Sequence, residues 1–537
     1  MPRVSCALLA AVAVTVAAMA AASAPTRAAA GSEALQPRRH RHPTHLPPAV
    51  PPPTPVPSAI VCDDPGAQLS QAEAMQLATQ AAGAVSTEPN VTVAVVDRLG
   101  DVLALLRYPA ADATLDDHAI GLARTGAFFS NDQAPLSSRT VRFISGLHFP
   151  PGIHRTPNAA LYGIENTNRG CDLNVTFLSG QSVPPARRFA GGPCQSFPPG
   201  STAGCGTGPV TGKLPRLDST PSDSDADAVD PGGLPVFRGG AVVGGIGVAG
   251  PAAPEAEHAA FAAVAALFPP PQGEIFLDGV RLPFAVQRTA PPGAVAGTPP
   301  GSFATGTLPG GLCAPSGYLA GPSAGVLTAA EVDQIVQQAV ATAGRTRAAI
   351  RLPIGSRTRM TIAVADLDGT ILALYRMPDA TVFSIDVAVA KARNVVYFTA
   401  GSPEARSDLP GAAGHAVTNR TIGFGAQNLF PPGIDGSGPG PFLPLFHGDW
   451  QSPCTQGSQP ATPNQNGVVF FPGSLPLYRN GALAGGLGVS GDGVEQDDYV
   501  TFGGAQGFVP PSSLWADQVM IHGVRLPFLK FPRNPEG

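Results

Sequence analysis

The residues best suited to chemistry follow a glycine-rich stretch near the C-terminal end of the chain. Leu475–Asp498 reads LPLYRNGALAGGLGVSGDGVEQDD and ends in the carboxylates of Glu495, Asp497 and Asp498. These carboxylates could bind a metal ion or a substrate, or they could complement the dipole of a helix that starts here. The glycines could admit a ligand to the backbone or let a helix pack closely on a strand. GLGVSG at 486–491 has the spacing of the dinucleotide-binding fingerprint, but no strand–helix crossover surrounds it, which argues against a Rossmann-type site.

Lys391 is a second candidate, in a predicted helix that contains the sequence SIDVAVAKAR. Its neighbours on the helix, including Val387 and Val395, are apolar, so the lysine stands out in this segment. A lysine that extends into solvent is the simplest interpretation. The alternatives are an ion pair with Asp386 and a contact with a carboxylate of a ligand.

The glycine-rich stretch does not carry the nucleophilic serine motif of the common hydrolases. GVSG at 488–491 lacks the spacing of the G-x-S-x-G elbow and lies on a predicted strand. No H-E-x-x-H zinc motif occurs either. The sequence therefore gives no support for a catalytic triad or for a zinc protease.

The elements that would position these residues occur twice. Leu234–Gly250 (LPVFRGGAVVGGIGVAG) is an earlier copy of the glycine-rich stretch, and the phrase GVRLPF follows each copy. Ahead of each copy a capping box begins a helix, with Ser70 and Glu73 in one and Thr328 and Glu331 in the other. The chain therefore contains an internal duplication, with the same order of elements in both halves.

Hydrophobic periodicity predicts the helices and strands of both halves. The first half has predicted helices at 70–85 and 117–130 and predicted strands at 91–97 and 102–107. In the second half a helix begins at 328, another spans 384–399, and strands span 360–366 and 371–376. The predicted fold class is α/β (α+β), with two tandem copies of an antiparallel sheet flanked by helices. The 64 glycines and 60 prolines predict irregular loops in each copy.

Composition divides the chain into segments around two modules. We predict a signal peptide at 1–30, a proline-rich disordered linker at 31–61, a first module at 62–285, a linker at 286–312, a second module at 313–530 and a tail at 531–537. Arg3 precedes an apolar run of small residues, as in a signal peptide; an uncleaved membrane anchor is the alternative. We therefore expect a periplasmic or secreted protein, with no membrane span after signal removal.

Charge and cysteine usage limit the partners and the compartment. Charged residues make up 13% of the chain, the net charge is −5 and no basic stripe is present, so a nucleic-acid partner is not expected. Of seven cysteines, Cys6 lies in the predicted signal peptide, which leaves an even number suited to an oxidising compartment. Because the two halves place cysteines alike, the predicted disulfides are Cys62–Cys171, Cys194–Cys205 and Cys313–Cys454.

Each half resembles the HbpS/GlcG family of haem-degrading or haem-binding proteins, a module also found at the C-terminus of PduO-type corrinoid proteins. Four pieces carry the resemblance in order: the capped helix start, the hairpin (IAVADLDGTILALYR in the second half), the helix SIDVAVAKAR, and Leu475–Asp498. The resemblance implies an antiparallel sheet with helices packed on it, usually in an oligomer. It covers roughly half of each repeat and is more complete in the second.

The first half departs from the pattern of the family. Leu122 stands in place of Lys391, and Ala249 stands in place of Ser490. With a shift of one residue, His258 aligns with Asp498. If only one half binds a ligand through the site of the family, we expect it to be the second half.

The resemblance implies haem, a related tetrapyrrole or iron as a small-molecule ligand, and a possible homo-oligomer. Candidate ligand-binding residues are Asp366, Asp386, Lys391, Ser490, Glu495 and Asp498. Haem also needs an axial ligand, commonly His, Cys, Met or Tyr. The candidates for a haem site are His148, His154, Arg142 and His258. No C-x-x-C-H motif occurs, which excludes covalent attachment of the c type.

The interpretation we favour is an exported protein that binds a small ligand, with haem as the leading choice. One alternative is an oxidative or haem-degrading enzyme. Another is a structural or interaction protein whose ligand sites have degenerated, since no histidine recurs at the equivalent position of the other half. Because no residue pattern establishes catalysis, binding is favoured over enzymatic activity.

Overall fold

The computed structural model describes most of the two halves. The described residues are 61–64, 66–146, 161–164, 167–168, 231–267, 274–277, 279–303, 313–432, 437–451, 455–462 and 464–537. The predicted signal peptide and residues 31–60 of the predicted proline-rich linker lie outside them. Within the described residues, no helix is long and apolar enough to cross a membrane.

Both halves share the order helix, hairpin, helix, short helix, hairpin and helix, and among the described residues the second half has two additional helices. In the first half they are β1 Val61–Cys62, α1 Gln71–Ala84, β2 Thr92–Asp97, β3 Val102–Arg107, α2 Thr114–Phe129, α3 Ser138–Gly146, β4 Gly233–Arg238, β5 Ala241–Ala249, α4 Ala253–Leu267, β6 Phe276–Leu277, β7 Val280–Arg281 and β8 Ser302–Phe303. In the second half they are β9 Pro315–Ala320, α5 Ala329–Arg345, β10 Met360–Ala365, β11 Ile371–Arg376, α6 Ser384–Ala400, α7 Pro403–Asp408, α8 Asn419–Gly425, α9 Leu443–Gln451, β12 Ser474–Arg479, β13 Ala482–Gly491, α10 Val494–Gly504, β14 Met520–Ile521 and β15 Val524–Arg525. Both predicted capping boxes are formed, at the starts of α1 and α5.

The strands form two large antiparallel sheets in which equivalent strands of the two halves occupy equivalent positions. The first sheet has the order β4-β5-β2-β3-β8, and the second has the order β12-β13-β10-β11-β9-β1. Their registers correspond as well, because Thr92 pairs with Ala249 in the first sheet and Thr361 pairs with Ser490 in the second. The predicted fold class, antiparallel sheets flanked by helices, is confirmed.

The glycines of the two repeated strands serve the packing of a helix on each sheet. A Cβ atom at Gly247 on β5 would lie 2.0 Å from the carbonyl oxygen of Ala119 on α2. A Cβ atom at Gly488 on β13 would lie 2.1 Å from the carbonyl oxygen of Ala388 on α6. Since real Cβ atoms do not come this close, only glycine lets these helices approach their sheets.

One hydrophobic core joins the two halves. It contains buried side chains of α2 and α6 together, and Phe129 at the end of α2 stacks on Phe383 with ring centroids 4.3 Å apart. The backbone N–H of Phe383 also donates to the carbonyl oxygen of Phe128 at 3.2 Å. The faces of α2 and α6 directed away from their own sheets are therefore buried against the other half.

Part of the segment predicted as a linker packs on the first half. Ser302 and Phe303 form the edge strand β8, which pairs with β3. Before this strand, Val295 and Gly297 also contact the first half. The Ser86 hydroxyl donates to the carbonyl oxygen of Val295 at 2.9 Å, and the N–H of Gly297 donates to the carbonyl oxygen of Gly83 at 2.8 Å. Residues 286–303 thus lie along the end of α1.

The structure corrects the disulfide scheme. Cys62 is bonded to Cys313, with 5.7 Å between their Cα atoms, so the predicted pairs Cys62–Cys171 and Cys313–Cys454 are wrong. The physical reason is strand pairing between the halves, since β1 joins the edge of the second sheet and places Cys62 opposite Pro315. The remaining cysteines, and with them the predicted Cys194–Cys205 bond, lie outside the described residues: Cys171, Cys194, Cys205 and Cys454.

Buried charges also link the halves. Arg351, which is 1% exposed at its side chain, donates from Nε to Asp492 at 2.8 Å and from Nη1 to Gln133 of the first half at 2.9 Å. It also pairs with Asp379, which accepts a hydrogen bond of 2.9 Å from the backbone N–H of Asp132. The interface therefore combines an apolar centre with a network of paired charges.

Asp132 at this interface should make stability depend on pH. Burial, and then the nearby charge of Asp379, raise the pKa of Asp132 to about 6. Because the unfolded chain releases this proton near pH 4, the native state holds more protons between about pH 4 and 6, and stability falls as pH rises through that window. Asp132→Asn keeps an oxygen for the N–H of Val242 and should raise the free energy of unfolding by about 2–3 kcal/mol at pH 8.

Urea unfolding between pH 4 and pH 8 measures this effect. The difference between Asp132→Asn and the wild type should shrink toward pH 4, because the aspartate becomes protonated in both states below that pH. Parallel stability profiles of the two proteins would contradict the assignment.

Candidate functional site

Lys391 lies on α6 and is fully buried, which corrects the interpretation of a solvated lysine. Its Nζ donates to Asp497 Oδ2 at 3.0 Å and to the carbonyl oxygen of Val489 at 2.8 Å, and it lies 4.9 Å from the ring centre of Phe471. The partner is therefore Asp497 rather than Asp386. Burial lowers the pKa of Lys391 and raises the pKa of Asp497, because the desolvation of the two charges outweighs their attraction.

Asp498, the next residue, makes a separate ion pair. Its Oδ2 accepts from Nε of Arg420 on α8 at 2.5 Å and from the backbone N–H of Lys530 at 3.0 Å. Its Oδ1 accepts from the N–H of Gly473 at 3.0 Å. This carboxylate is fully buried and every contact it makes joins two elements of the second half, so it holds α8 and the C-terminal segment onto α10.

The first half has a counterpart of the ion pair between Asp498 and Arg420. Arg139 on α3 donates to Glu257 on α4 at 2.5 Å, and Glu257 also accepts from the N–H of Gln287 at 2.8 Å. Glu257 is therefore the counterpart of Asp498, and the alignment of His258 with Asp498 is wrong by one residue. Sequence reasoning missed Glu257, although an arginine followed by threonine begins both short helices and could have pointed to an acidic partner.

The first half replaces both members of the Lys391–Asp497 pair. A Cβ atom at Gly473 would meet Lys391 Nζ and Asp497 Cβ, whereas a Cβ atom at its counterpart Gly232 would meet Leu122 and Ala256. Leu122 and Ala256 are both buried. The two halves thus share one backbone arrangement, with a buried ion pair in the second half and two apolar side chains in the first.

The other predicted ligand residues do not form one site. The Ser490 hydroxyl donates to Ser384 at 3.1 Å. Asp386 accepts from the N–H of Asn168 at 2.8 Å and from Asn466 at 3.1 Å. Glu495 pairs with Lys530 at the surface of α10. Asp366 follows β10 and accepts from the N–H of Val326 at 3.2 Å.

A small cavity lies between the halves beside the buried ion pair. Its volume is about 20 Å³, which is room for roughly one water molecule. The first half supplies Phe129 and Ile144 among its walls, and the second half supplies Phe383, Ser490 and Asp497. Asp497 is 2% exposed, and its Oδ1 has no hydrogen-bond partner among the described residues.

A much larger groove runs over the first half. It has a volume of about 850 Å³, and alanines from α1, α4 and the segment after residue 289 form much of its wall. Met75 on α1 and His258 on α4 both line it, and His258 Nδ1 has no hydrogen-bond partner within the described part of the chain. Burial lowers the pKa of His258, and a hydrogen bond with the backbone of Arg288 opposes this shift. The imidazole is therefore neutral at pH 7, and its Nδ1 is buried without a hydrogen-bond partner among the described residues.

The corresponding surface of the second half is covered by its own C-terminal segment. Tyr499 takes the position of His258, and its hydroxyl donates to Glu536 at 2.8 Å. The ring of Phe531 lies 5.5 Å from that of Tyr499 and 5.4 Å from that of Phe502, between centroids. The groove is therefore filled in the second half and open in the first.

The proposed haem residues do not come together. Arg142 is buried on α3 and is not part of the groove that His258 lines. His148 and His154 lie outside the described residues. No group of three or more His, Cys, Asp or Glu side chains that could hold a metal ion occurs among the residues that the structure describes.

The fold defines the class of this module, and comparisons with known proteins give the family that its second half resembles. The class is an α/β module with helices on an antiparallel sheet, found once in each half. Residues 327–506 match the family described as "Haem degrading protein HbpS-like". The second half of the chain is therefore similar to this GlcG/HbpS-like family over the matched residues.

Curated relatives include two corrinoid adenosyltransferases named PduO. The protein of Citrobacter freundii is 28% identical over 153 residues, and that of Salmonella typhimurium is 28% identical over 154 residues. Each alignment covers 28% of this chain and 33% of the relative, so the chain spans about a third of the length of the curated relatives it matches.

Two solved structures are also similar. A crystal structure of a PduOC:heme complex is 22% identical, with a TM-score of 0.22, and the match covers 34% of this chain and 94% of that one. The ORFY protein of Klebsiella pneumoniae is 20% identical, also with a TM-score of 0.22, and the match covers 34% of this chain and 88% of that one.

Proposed function

We propose that this protein binds haem or a related tetrapyrrole in the groove of the first half, with His258 as the ligand of the iron. The observation that carries the proposal is the position of His258 on the groove wall, where burial favours the neutral imidazole. Imidazole is a common axial ligand of haem, and a groove of about 850 Å³ has the size of a cofactor site. The family description of residues 327–506 adds support for haem as the ligand.

The composition of the groove suits a flat apolar ring. Small alanine side chains of α1 and α4 leave space between the helices, and Met75 and Phe303 add apolar surface at its sides. Bound haem would supply ligand exchange and redox chemistry at its iron, while the chain provides the neutral imidazole and excludes water from one face. The inter-half cavity of about 20 Å³ is far too small for this ligand.

This placement differs from the prediction that the second half would be the binding half. The reason is geometric, because Phe531 and Glu536 occupy the surface around Tyr499 that corresponds to the groove. The family resemblance is more complete in the second half, but the open space and the available histidine lie in the first.

His258→Ala should weaken saturable haem binding. Removing the imidazole deletes the iron ligand but leaves the groove and its helix, so the fold should be unaffected. Titration with hemin, followed by the Soret band, measures the loss, and we expect an affinity at least ten times lower. Affinity of the wild type should also fall at acidic pH, since protonation of His258 removes the lone pair.

His118→Ala is the matched control, because His118 lies on α2 of the same half and does not line the groove. It should bind hemin as the wild type does. Equal binding by both variants and the wild type would refute the assignment of His258. Decay of the Soret band with reductant and oxygen would indicate a degrading enzyme rather than a binding protein.

The proposal includes export to the periplasm or the medium. The N-terminal segment has the pattern of a signal peptide, and the Cys62–Cys313 bond is of the kind that persists in oxidising compartments. Mass spectrometry of the protein from fractionated cells should find an N-terminus between residues 20 and 31 and an oxidised Cys62–Cys313 pair. A cytoplasmic protein that begins at Met1 with both thiols reduced would overturn this part.

A further inference from the structure

Residues 531–536, which we call the strap, make a specific set of contacts on the second half. The ring of Phe531 packs against the ring of Tyr499 on α10, with 5.5 Å between their centroids. The carboxylate of Glu536 accepts a hydrogen bond from the Tyr499 hydroxyl at 2.8 Å and pairs with Arg345 at the end of α5. The strap therefore places an aromatic ring and a carboxylate side by side on one surface.

Two further arginines hold the strap through its backbone. Arg347 donates from Nη2 to the carbonyl oxygen of Asn534 at 2.7 Å, and Arg357 donates from Nη1 to the carbonyl oxygen of Glu536 at 2.8 Å. Together with Arg345, they form a cationic surface whose partners in the strap are one carboxylate and backbone carbonyls. Guanidinium groups bind carboxylates through paired hydrogen bonds, so this surface suits a ligand with more than one anionic group.

The second half obtains this surface from features that the first half does not have. The connection from α5 to β10 is longer than the connection from α1 to β2, and it supplies Arg347 and Arg357. Counted from the repeated phrase GVRLPF, Gln287 stands in place of Phe531. Because the first half forms the same sheet and helices without these residues, the fold of the module does not depend on the strap.

We propose that the strap is an internal competitor that covers a second binding site, on α5 and α10, for haem or a related tetrapyrrole. Phe531 takes the place of the flat ring, and Glu536 takes the place of a propionate. Tyr499 becomes the ligand of the iron, because it stands where His258 stands in the first half and tyrosine is an axial ligand in some haem proteins. The inference takes its ligand class from the proposed function and concerns a different site.

The contacts of the strap are superficial enough to be exchanged for a ligand. Phe531 is 36% exposed and the side chain of Glu536 is 32% exposed. Exposed ion pairs stabilise little, and segments with few buried contacts open at a low cost in free energy. The chain before the strap is anchored, since Phe528 is 4% exposed and the N–H of Lys530 donates to Asp498 at 3.0 Å. The strap can therefore open while the rest of the second half stays folded.

Full-length chains that carry His258→Ala separate this site from the groove of the first half. In that background, Phe531→Ala/Glu536→Arg should expel the strap, because it removes the aromatic ring and places a positive charge against Arg345. Hemin should then bind about ten times more tightly than to His258→Ala alone, with a saturable shift of the Soret band. Addition of Tyr499→Phe should remove this gain, since it deletes the oxygen that binds the iron and keeps the ring.

Trypsin cleavage after Lys530 reports on the strap without haem and should be faster in the strap variant. Arg533→Ala is the matched control, because its exposed side chain takes no part in the contacts above, and it should change neither cleavage nor hemin binding. An open strap without added hemin binding, a gain that survives Tyr499→Phe, or cleavage as slow as in the wild type would each overturn the inference. A wild type that binds no hemin, beside a strap variant that does, would refute the proposed function and support this one.

Discussion

Asp497→Ala alone is expected to lower the free energy of unfolding by about 3–5 kcal/mol. The substitution leaves the ammonium group of Lys391 buried at 0% exposure with the carbonyl oxygen of Val489 as its remaining partner. Burial already lowers the pKa of Lys391, and loss of the carboxylate removes the attraction that opposes this shift. In the variant, Lys391 should therefore be uncharged, and its deprotonation should lower the free energy of unfolding at neutral pH.

The double variant Lys391→Leu/Asp497→Ala should recover most of that loss. It installs the combination that the first half already contains, Leu122 against Ala256, in the same backbone setting. Guanidinium unfolding of the wild type, both single variants and the double variant gives the coupling energy of the pair. A double variant that is less stable than either single variant would contradict the equivalence of the two halves.

A surface ion pair provides the control for this cycle. Arg479 and Glu331 lie 3.4 Å apart, and their side chains are 41% and 26% exposed. Arg479→Ala should change the free energy of unfolding by less than about 1 kcal/mol, because water screens exposed charges. Comparing the loss of stability at this exposed ion pair with the loss at the buried Lys391–Asp497 pair isolates the effect of burial.

Local features of the sequence predicted the helices and strands well. Both capping boxes form, and the hairpins around residues 97–102 and 365–371 have the predicted order. These features depend on residues close together in the chain. The repeated phrase GVRLPF also has one role in both halves, since Thr140 donates to the carbonyl oxygen of Pro283 and Thr421 donates to that of Pro527, each at 2.7 Å.

The candidate site could be predicted only in part, because its contacts join distant residues. Lys391 looked like a surface lysine from its helix, yet its carboxylate partner is 106 residues further along the chain. His258 was chosen through a one-residue error of alignment, which the contact of Glu257 with Arg139 corrects. His258 remains a candidate because it lines the open groove. The segment after residue 289 forms part of that groove, and the spacing of residues in the sequence could not predict this contact.

Loss of the Cys62–Cys313 bond is the second large effect that the structure predicts. The bond closes a loop with a sequence separation of 251 residues, for which the chain-entropy treatment gives about 5 kcal/mol. It also fastens β1, at the start of the first half, to the strand β9 of the second half. Cys62→Ser should therefore lower the free energy of unfolding and loosen the attachment of β1.

Because both cysteines belong to one bond, the two single variants and the double variant are controls for one another. Cys62→Ser, Cys313→Ser and the double variant should all lose the same stability in guanidinium unfolding without reductant, since each removes the same covalent link. Additive losses would mean that the two cysteines form separate bonds, as the sequence had suggested. A peptide map of the unreduced wild type decides the same question independently, because a peptide that joins Cys62 to Cys171 would exclude the Cys62–Cys313 bond.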